Sequence, residues 1–384
     1  MQQFDVAIIG GGLVGASFTR AMVASGLKIV VIDQQPAAAL YSPALDNRGI
    51  ALSYSSMQIL AALKVWPLLQ AEAHIIKTVH VSEQSRFGIT KLSASKYRYP
   101  SLGCVVSASS LGAVLMQGLD DLPEVTVLRP AVISAVAYDS AAAVWTINLD
   151  NLDLKAKLLV AADGTNSFIR SMLNIPAIFK DIRQSALVAN VATEILHHET
   201  AYERFTAQGI LALLPFGARQ LKCIWTVDNV LLDEIKALSN YEFLSKIQTM
   251  FGFRMGRLKS VTDRQIFPIH VMQAAGICSD GAVLLGNAAN TLHPVAAQGF
   301  NLGLRDAATL AKVLRAGDYD LKEYARLRAQ DHQSTQEYTH TLVDLFASDR
   351  ATIKFLRNLG ILTVQFIPAL NKQITTRGMG IWTS

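Results

Sequence analysis

Residues 1–33 constrain this chain more than any other stretch. Residues 4–9 (Phe-Asp-Val-Ala-Ile-Ile) are a short apolar run of β-branched character, so they read as a buried strand. Gly10-Gly11-Gly12-Leu13-Val14-Gly15 follows at once with the spacing G-x-G-x-x-G. Residues 16–25 read as a helix ended by Gly26, and residues 27–32 as a second apolar strand that closes on Asp33. Gly10 permits a tight turn, Gly12 lets a pyrophosphate approach the backbone, and Gly15 lets helix and strand pack closely. The helix start presents unpaired N–H groups and the positive end of its dipole. Asp33, eighteen residues beyond Gly15, is placed to accept hydrogen bonds from a ribose diol. Strand, glycine turn, helix, second strand and acid together predict a dinucleotide site.

Bulk properties narrow the rest. The 384 residues suffice for two or three lobes, and 51% hydrophobic against 17% charged residues excludes general disorder. Residues 281–304 carry no Asp, Glu, Lys or Arg but include Asn, His, Gln and several Gly, which suits a buried site segment rather than a membrane span. With no span and no basic leader ahead of the first strand, a cytoplasmic protein is expected. A net charge of +5 without a polybasic run or zinc-finger spacing argues against nucleic acid and leaves anionic lipid or an acidic partner. Cys104, Cys223 and Cys278 are far apart and odd in number, as free thiols in a reducing compartment would be. The eight histidines show no metal-ligand spacing, so no metal is expected.

Along the chain, Arg48 lies in a connecting segment, where it can lie along a cofactor or make a surface salt bridge. Ser53 or Ser55 can cap a helix running to Trp66. Strands are expected within 76–99, at 103–106, 125–128, 131–136, 145–149 and 158–161, and a helix over 109–119. The last of those strands runs into Ala162-Asp163-Gly164-Thr165, with Arg170 beyond. An acid there lies where ligands bind in a parallel sheet, or it caps the next helix. Residues 186–193, 210–215 and 221–227 read as a mostly antiparallel sheet with a helix over 240–251, an inserted lobe able to wall an apolar pocket. A strand at 282–285 then leads through Gly286-Asn287, His293-Pro294 and Gln298-Gly299-Phe300-Asn301 into a helix burying Leu302, Ala307, Leu310, Ala311 and Leu314. Residues 321–384 are helical in pattern. Near their middle, Arg350, Lys354 and Arg357 share one face, and Ile353, Leu356, Leu359 and Leu362 another. Such a segment suits a bilayer surface or a partner, or packs on its own protein.

The glycine motif with Asp33, Asp163-Gly164, and Gly286-Asn287 through Asp306 resemble, in this order, the aromatic-ring flavin monooxygenases. That family has the para-hydroxybenzoate-hydroxylase-like fold. The resemblance is nearest to the hydroxylases of ubiquinone biosynthesis that act on a polyprenyl methoxyphenol. It is carried by residues 46–52, 78–82, 188–193, the segment Tyr202-Glu203-Arg204-Phe205-Thr206 and residues 251–256. It implies an α/β (α+β, two-lobed) architecture: a Rossmann-like FAD-binding lobe, an inserted mostly antiparallel substrate lobe and C-terminal helices. The FAD lobe would comprise residues 1–75, 101–180 and 271–320, the substrate lobe 76–100 and 181–270, and the helical segment 321–384.

It further implies FAD held by Gly10, Gly12, Leu13, Val14, Gly15, Asp33, Arg48, Val132, Asp163, Gly164, Gly286, Asn287, Pro294, Gly299, Phe300 and Asn301. Gly286 and Asn287 would face the ribityl chain, and residues 299–301 the flavin ring. NAD(P)H would be a transient co-substrate without a Rossmann lobe of its own. O2 would add at the flavin C4a, and the resulting hydroperoxide would pass OH to a polyprenyl phenol. Other ubiquinone-biosynthesis proteins and peripheral contact with the inner face of a membrane are the implied partners. The resemblance designates no catalytic side chain and leaves ring position, tail length and nicotinamide preference open. Other readings are a flavin reductase, a hydroxylase of another hydrophobic ring, or a flavin-bearing structural subunit of a quinone-synthesis assembly. The departures are Asn287 where the wider family has Asp, Ala297 where glycine is usual, and Ser107 where glutamate is common.

Overall fold

A computed structural model describes residues 1–36, 48–262, 264–317, 319–347, 360 and 362–381, with the side chains of 344–347 left out. Asp46, Asn47 and the basic and apolar residues from Arg350 to Leu359 lie outside the described residues.

The first strand, Gln2–Ile9, lies at the centre of a sheet, parallel to Asp153–Ala161 on one side and Ile29–Ile32 on the other. Val125–Leu128 and Ala282–Leu284 extend the parallel set outward, and the hairpin of Ile133–Asp139 and Val144–Leu149 joins antiparallel. Both faces of the first strand are covered: Val6 and Ile8 pack on one side with Phe18 and Met22, Ala7 and Ile9 on the other with Trp145 and Ile169. That two-sided burial is why the strand reads as a continuous apolar run rather than an alternation. Register brings the carboxyl ends level, with Ile9 opposite both Ile32 and Ala161.

A second sheet runs in the order Leu258–Val261, Gln184–Thr193, Gln220–Asp228, Gly209–Pro215, Thr200–Thr206, Thr78–Glu83, Ile89–Ser93. It is antiparallel except where Thr200–Thr206 meets Thr78–Glu83. Alternation assigns its faces. Leu211, Leu213 and Trp225 pack under the helix Asn240–Phe251 with Phe243 and Ile247, while Ile210, Ala212, Leu214 and Ile224 line a cavity on the other side. The helix opens on a capping box in which Ser239 and Glu242 bond reciprocally.

Most expected elements are present, and the differences include the following. The helix over 16–25 is Leu13–Met22, three residues earlier. The helix expected to reach Trp66 stops at Ala62, with Lys64 left-handed (φ 59°), and Trp66–Leu69 is a separate turn with a proline in its start. Thr200–Thr206, not anticipated as a strand, is an interior member of the second sheet.

The helix Gln298–Arg315 packs against both Leu13–Met22 and the 27-residue helix Leu321–Ala347. A buried ion network ties the two long helices. Arg305 Nε donates to Asp331 (2.7 Å), Arg328 bridges Asp306 and Asp331 (both 2.6 Å), and His332 Nε2 lies 2.7 Å from Asp306. Burial pushes the Asp306 carboxyl up, but His332 and Arg328 outweigh it and hold it low; Asp331 is held at about 2 against burial by Arg305 and Arg328.

Candidate active site

Three strand ends meet at the glycine turn. Gly10 N–H donates to Ile32 O (2.8 Å), Ala162 N–H to Ile9 O (2.7 Å) and Leu285 N–H to Ala161 O (2.8 Å). Gly10 has φ 101°, and a Cβ there would sit 2.4 Å from Ala162 O; a Cβ on Gly15 would sit 1.9 Å from Gly10 O. Gly12 is different. A Cβ there would meet no protein atom within 4 Å, and Gly12 caps the helix Leu13–Met22 without any side chain. The N–H groups of Leu13 and Val14, in the helix's first turn, have no intrahelical acceptor, which suits a pyrophosphate. The Val14 side chain itself points inward and fills the gap between Gly286 and Gly303.

Asp33 accepts from Gly11 N–H (2.6 Å) and Gln35 N–H (2.7 Å), so it braces the turn and keeps lone pairs for a diol. The backbone beside it is tied down where Ala131 N–H donates to Asp33 O, which sets the exposed Val132 at the rim of this end. One Asp163 oxygen accepts from Ile169 N–H (3.1 Å) in the first turn of Phe168–Met172, whose cap is Ser167, while the other is buried with no hydrogen-bond partner. Burial raises its carboxyl above the usual range. Gly164 beside it is open, and Arg170 links this loop to the next through Thr165 O and Ala288 O.

Gly286 (φ 56°) begins a short turn in which the Asn287 side chain is exposed. His293 then anchors the following turn: its Nδ1 accepts from Val295 N–H and its Nε2 lies 3.1 Å from Gln184 Oε1. Burial lowers its pKa to about 4, so it is neutral at ordinary pH. Pro294 is exposed on the cavity, Ala296 and Ala297 are left-handed (φ 58° and 50°), and Gly299 is open.

Asn301 does not offer its side chain to a ring: Oδ1 accepts from Ser53 N–H and Ser56 Oγ, and Nδ2 donates to Ala51 O and Ala297 O, which fills all four positions. Phe300 packs into the core beneath. What this segment presents is backbone at the start of Gln298–Arg315, a helix whose cap Ala297 makes no side-chain hydrogen bond. Asp306 likewise belongs to the ion network. Arg48 lies with its guanidinium 4.1 Å from the ring centroid of Phe267, so its cation sits on a protein ring. Ser107 caps the helix Ala108–Met116 by accepting from Ser110 N–H.

The cavity, about 590 Å³, is bounded by the second sheet, the 294–298 turn, Tyr338 and Leu342 of the long helix, and Ile374 of Pro368–Gly378. Its walls are mostly apolar. Glu203, which the sequence reading quoted but gave no role, is the one ionisable acid or base with a formal charge lining it among the described residues. The described residues hold no cluster of metal-ligating side chains and no helix long and apolar enough to cross a membrane.

The open cradle at Gly12, the bare helix starts and the orphaned Asp163 oxygen fit FAD. The chain belongs to the FAD binding domain family, which matches residues 3–337, and it is by class a flavin-dependent monooxygenase. Its relatives place it in the ubiquinone-hydroxylase branch. The ubiquinone hydroxylase UbiL of Rhodospirillum rubrum is 31% identical over 98% of this chain and 89% of its own length. The 3-demethoxyubiquinol 3-hydroxylase of Escherichia coli is 28% identical over 99% of each. Among solved structures, p-nitrophenol 4-monooxygenase PnpA of Pseudomonas putida superposes with a TM-score of 0.80, at 16% identity and full coverage of both chains. PqsL of Pseudomonas aeruginosa gives 0.78 at 21% identity, over 94% of this chain and 99% of its own. These two share the fold.

Proposed function

We propose that this protein hydroxylates the ring of a polyprenyl phenol that already carries a methoxy group, in ubiquinone biosynthesis, using NAD(P)H and O2. The observation that carries the reading is the apolar cavity ending at the turn before Gln298. Its volume lies in the range of small-molecule sites, and its walls suit a ring with the first part of an isoprenoid tail. FAD, when bound, supplies the redox and oxygen chemistry.

The chain's own residues do the rest. Gly12 and the N–H groups of Leu13 and Val14 hold the pyrophosphate, Asp33 the ribose, and Asn287 the ribityl chain. The bare start of Gln298–Arg315 sets a positive dipole end under the ring seat, where it would favour negative charge on a bound flavin ring. The apolar walls keep water away from the reacting centre.

A long-tailed substrate is too apolar to arrive through water, at about 0.8 kcal/mol per buried CH2. Exposed Phe366 and Ile367 adjoin the cavity-lining Thr363, Val364 and Leu370, which supports delivery from a lipid surface or a lipid-carrying partner. The test is analysis of quinone intermediates in cells lacking the protein. Accumulation of the prenylated methoxyphenol lacking this hydroxyl is the expected result; unchanged quinone would overturn the reading.

A further inference from the structure

Glu203 stands on the strand Thr200–Thr206, where Ala201, Glu203 and Phe205 face the cavity. On the opposite face, Tyr202 packs against Phe251, and Arg204 donates to Met250 O (2.6 Å) and Ser82 Oγ (3.0 Å). The register opposite Glu203 is apolar, with Val81 on one neighbour and Ala212 on the other. Ala296 N–H, in the turn that forms the ring seat, lies near the carboxylate and favours its charged form against burial. Tyr338, on the long helix, faces it across the cavity end, and burial followed by the Glu203 charge raises the Tyr338 hydroxyl.

Burying a carboxylate costs several kcal/mol unless its lone pairs find donors. One backbone N–H leaves acceptor positions on a group that has about four. Those positions open on the cavity beside the ring seat. Resting on the substrate reading above, we infer that Glu203 accepts a hydrogen bond from the phenolic hydroxyl of the substrate and so sets which ring carbon faces the flavin. An apolar cavity alone would hold the tail and leave the ring free to turn. An acceptor standing beside the Ala296 turn ties the ring's orientation to the seat itself. Burial raises the Glu203 carboxyl, as expected for an acid held among apolar walls.

The test uses FAD-loaded protein and two short-tailed ligands, a prenylated 2-methoxyphenol and its analogue with hydrogen in place of the hydroxyl. Dissociation constants are read from the change in the bound-flavin spectrum, which requires no turnover. Wild type should favour the phenol by about tenfold to a hundredfold. Glu203→Leu should erase that preference while binding the deoxy analogue as well as wild type does. Glu203→Gln, which keeps the shape and an acceptor oxygen, should retain part of it. Wild-type preference that survives in Glu203→Leu overturns the assignment, as does equal loss of both ligands in Glu203→Leu and Glu203→Gln. Failure of wild type to bind either ligand overturns the substrate reading and this assignment with it.

Discussion

The two ends of the site are made of different material. The nucleotide end is backbone: glycines, helix starts and strand ends, with Asp33 and Asp163 bracing the loops. The cavity end is side chain: an alternating apolar face of a sheet, helices laid over it, and the Glu203 carboxylate. A backbone site needs glycine wherever Cβ would collide, so its spacing is legible at a distance. A side-chain site needs only that the correct face of a strand be apolar, and many sequences satisfy that.

Glycines at the nucleotide end offer the sharpest contrast, because two of them do opposite things. Gly15→Val puts a branched side chain onto Gly10 O and should cost the fold at this end, with loss of soluble protein or a large fall in Tm as well as loss of flavin. Gly12→Val enters open space, so the purified apoprotein should melt as the wild-type apoprotein does yet carry no flavin absorbance. Flavin retained by Gly12→Val would break the distinction between packing glycine and cradle glycine.

Acid should separate the ends in another way. His293, with a folded pKa of about 4 against 6.5 unfolded, is neutral in the fold and takes up its proton more readily when unfolded. Its contribution is fully present above pH 6.5 and is lost as pH falls toward 4, amounting to about 3 kcal/mol. His80, also lowered to about 4 by burial and then Arg254, adds a second slope of the same sign. His293→Gln should therefore flatten part of the fall in Tm between pH 6.5 and 4. An unchanged slope would mean the turn at the cavity end is not held by this imidazole.

Asp33→Ala tests whether the nucleotide end depends on a side chain at all. It removes the brace on Gly11 N–H and the diol acceptor, and should weaken FAD binding by about 1–3 kcal/mol, read by titrating apoprotein with FAD. The smallest effect belongs to the seat. Ala297 is left-handed, which costs an alanine about 1 kcal/mol, so Ala297→Gly should leave Tm unchanged or raise it by about 1–2 °C. A marked fall would show that the methyl group packs against something the seat needs.

What the sequence disclosed follows the same division. The first strand, the glycine turn and Asp33 were readable because each residue type answers a local geometric demand. Glu203 was in plain view within Tyr-Glu-Arg-Phe-Thr, but its strand pairs with residues 78–83, more than a hundred positions earlier, and no local pattern shows that partner. Its alternation, with Ala201 and Phe205 on the same side as the acid, was the available signal. Asn301 and Asp306 lay inside a motif and were read with it, yet their partners are protein groups: Ser53 and Ser56 for one, Arg328 and His332 for the other. The i, i+4 spacing of Arg328 and His332 hints at a shared acceptor, which only the packing of two helices supplies.

The ion network has a mechanical consequence. Arg305, Asp306, Arg328, Asp331 and His332 bolt the helix that carries the ring seat to the helix that carries Tyr338, deep in the protein and well before the latter reaches the cavity. Separating the bolted ends would expose unpaired charges, so the spacing between the ring seat and Tyr338 is held by buried charge. The facing wall, Pro368–Gly378, is held instead by neutral hydrogen bonds, from Tyr97 Oη to Asn371 Oδ1 (2.7 Å) and from Ser55 N–H to Met379 O (3.0 Å).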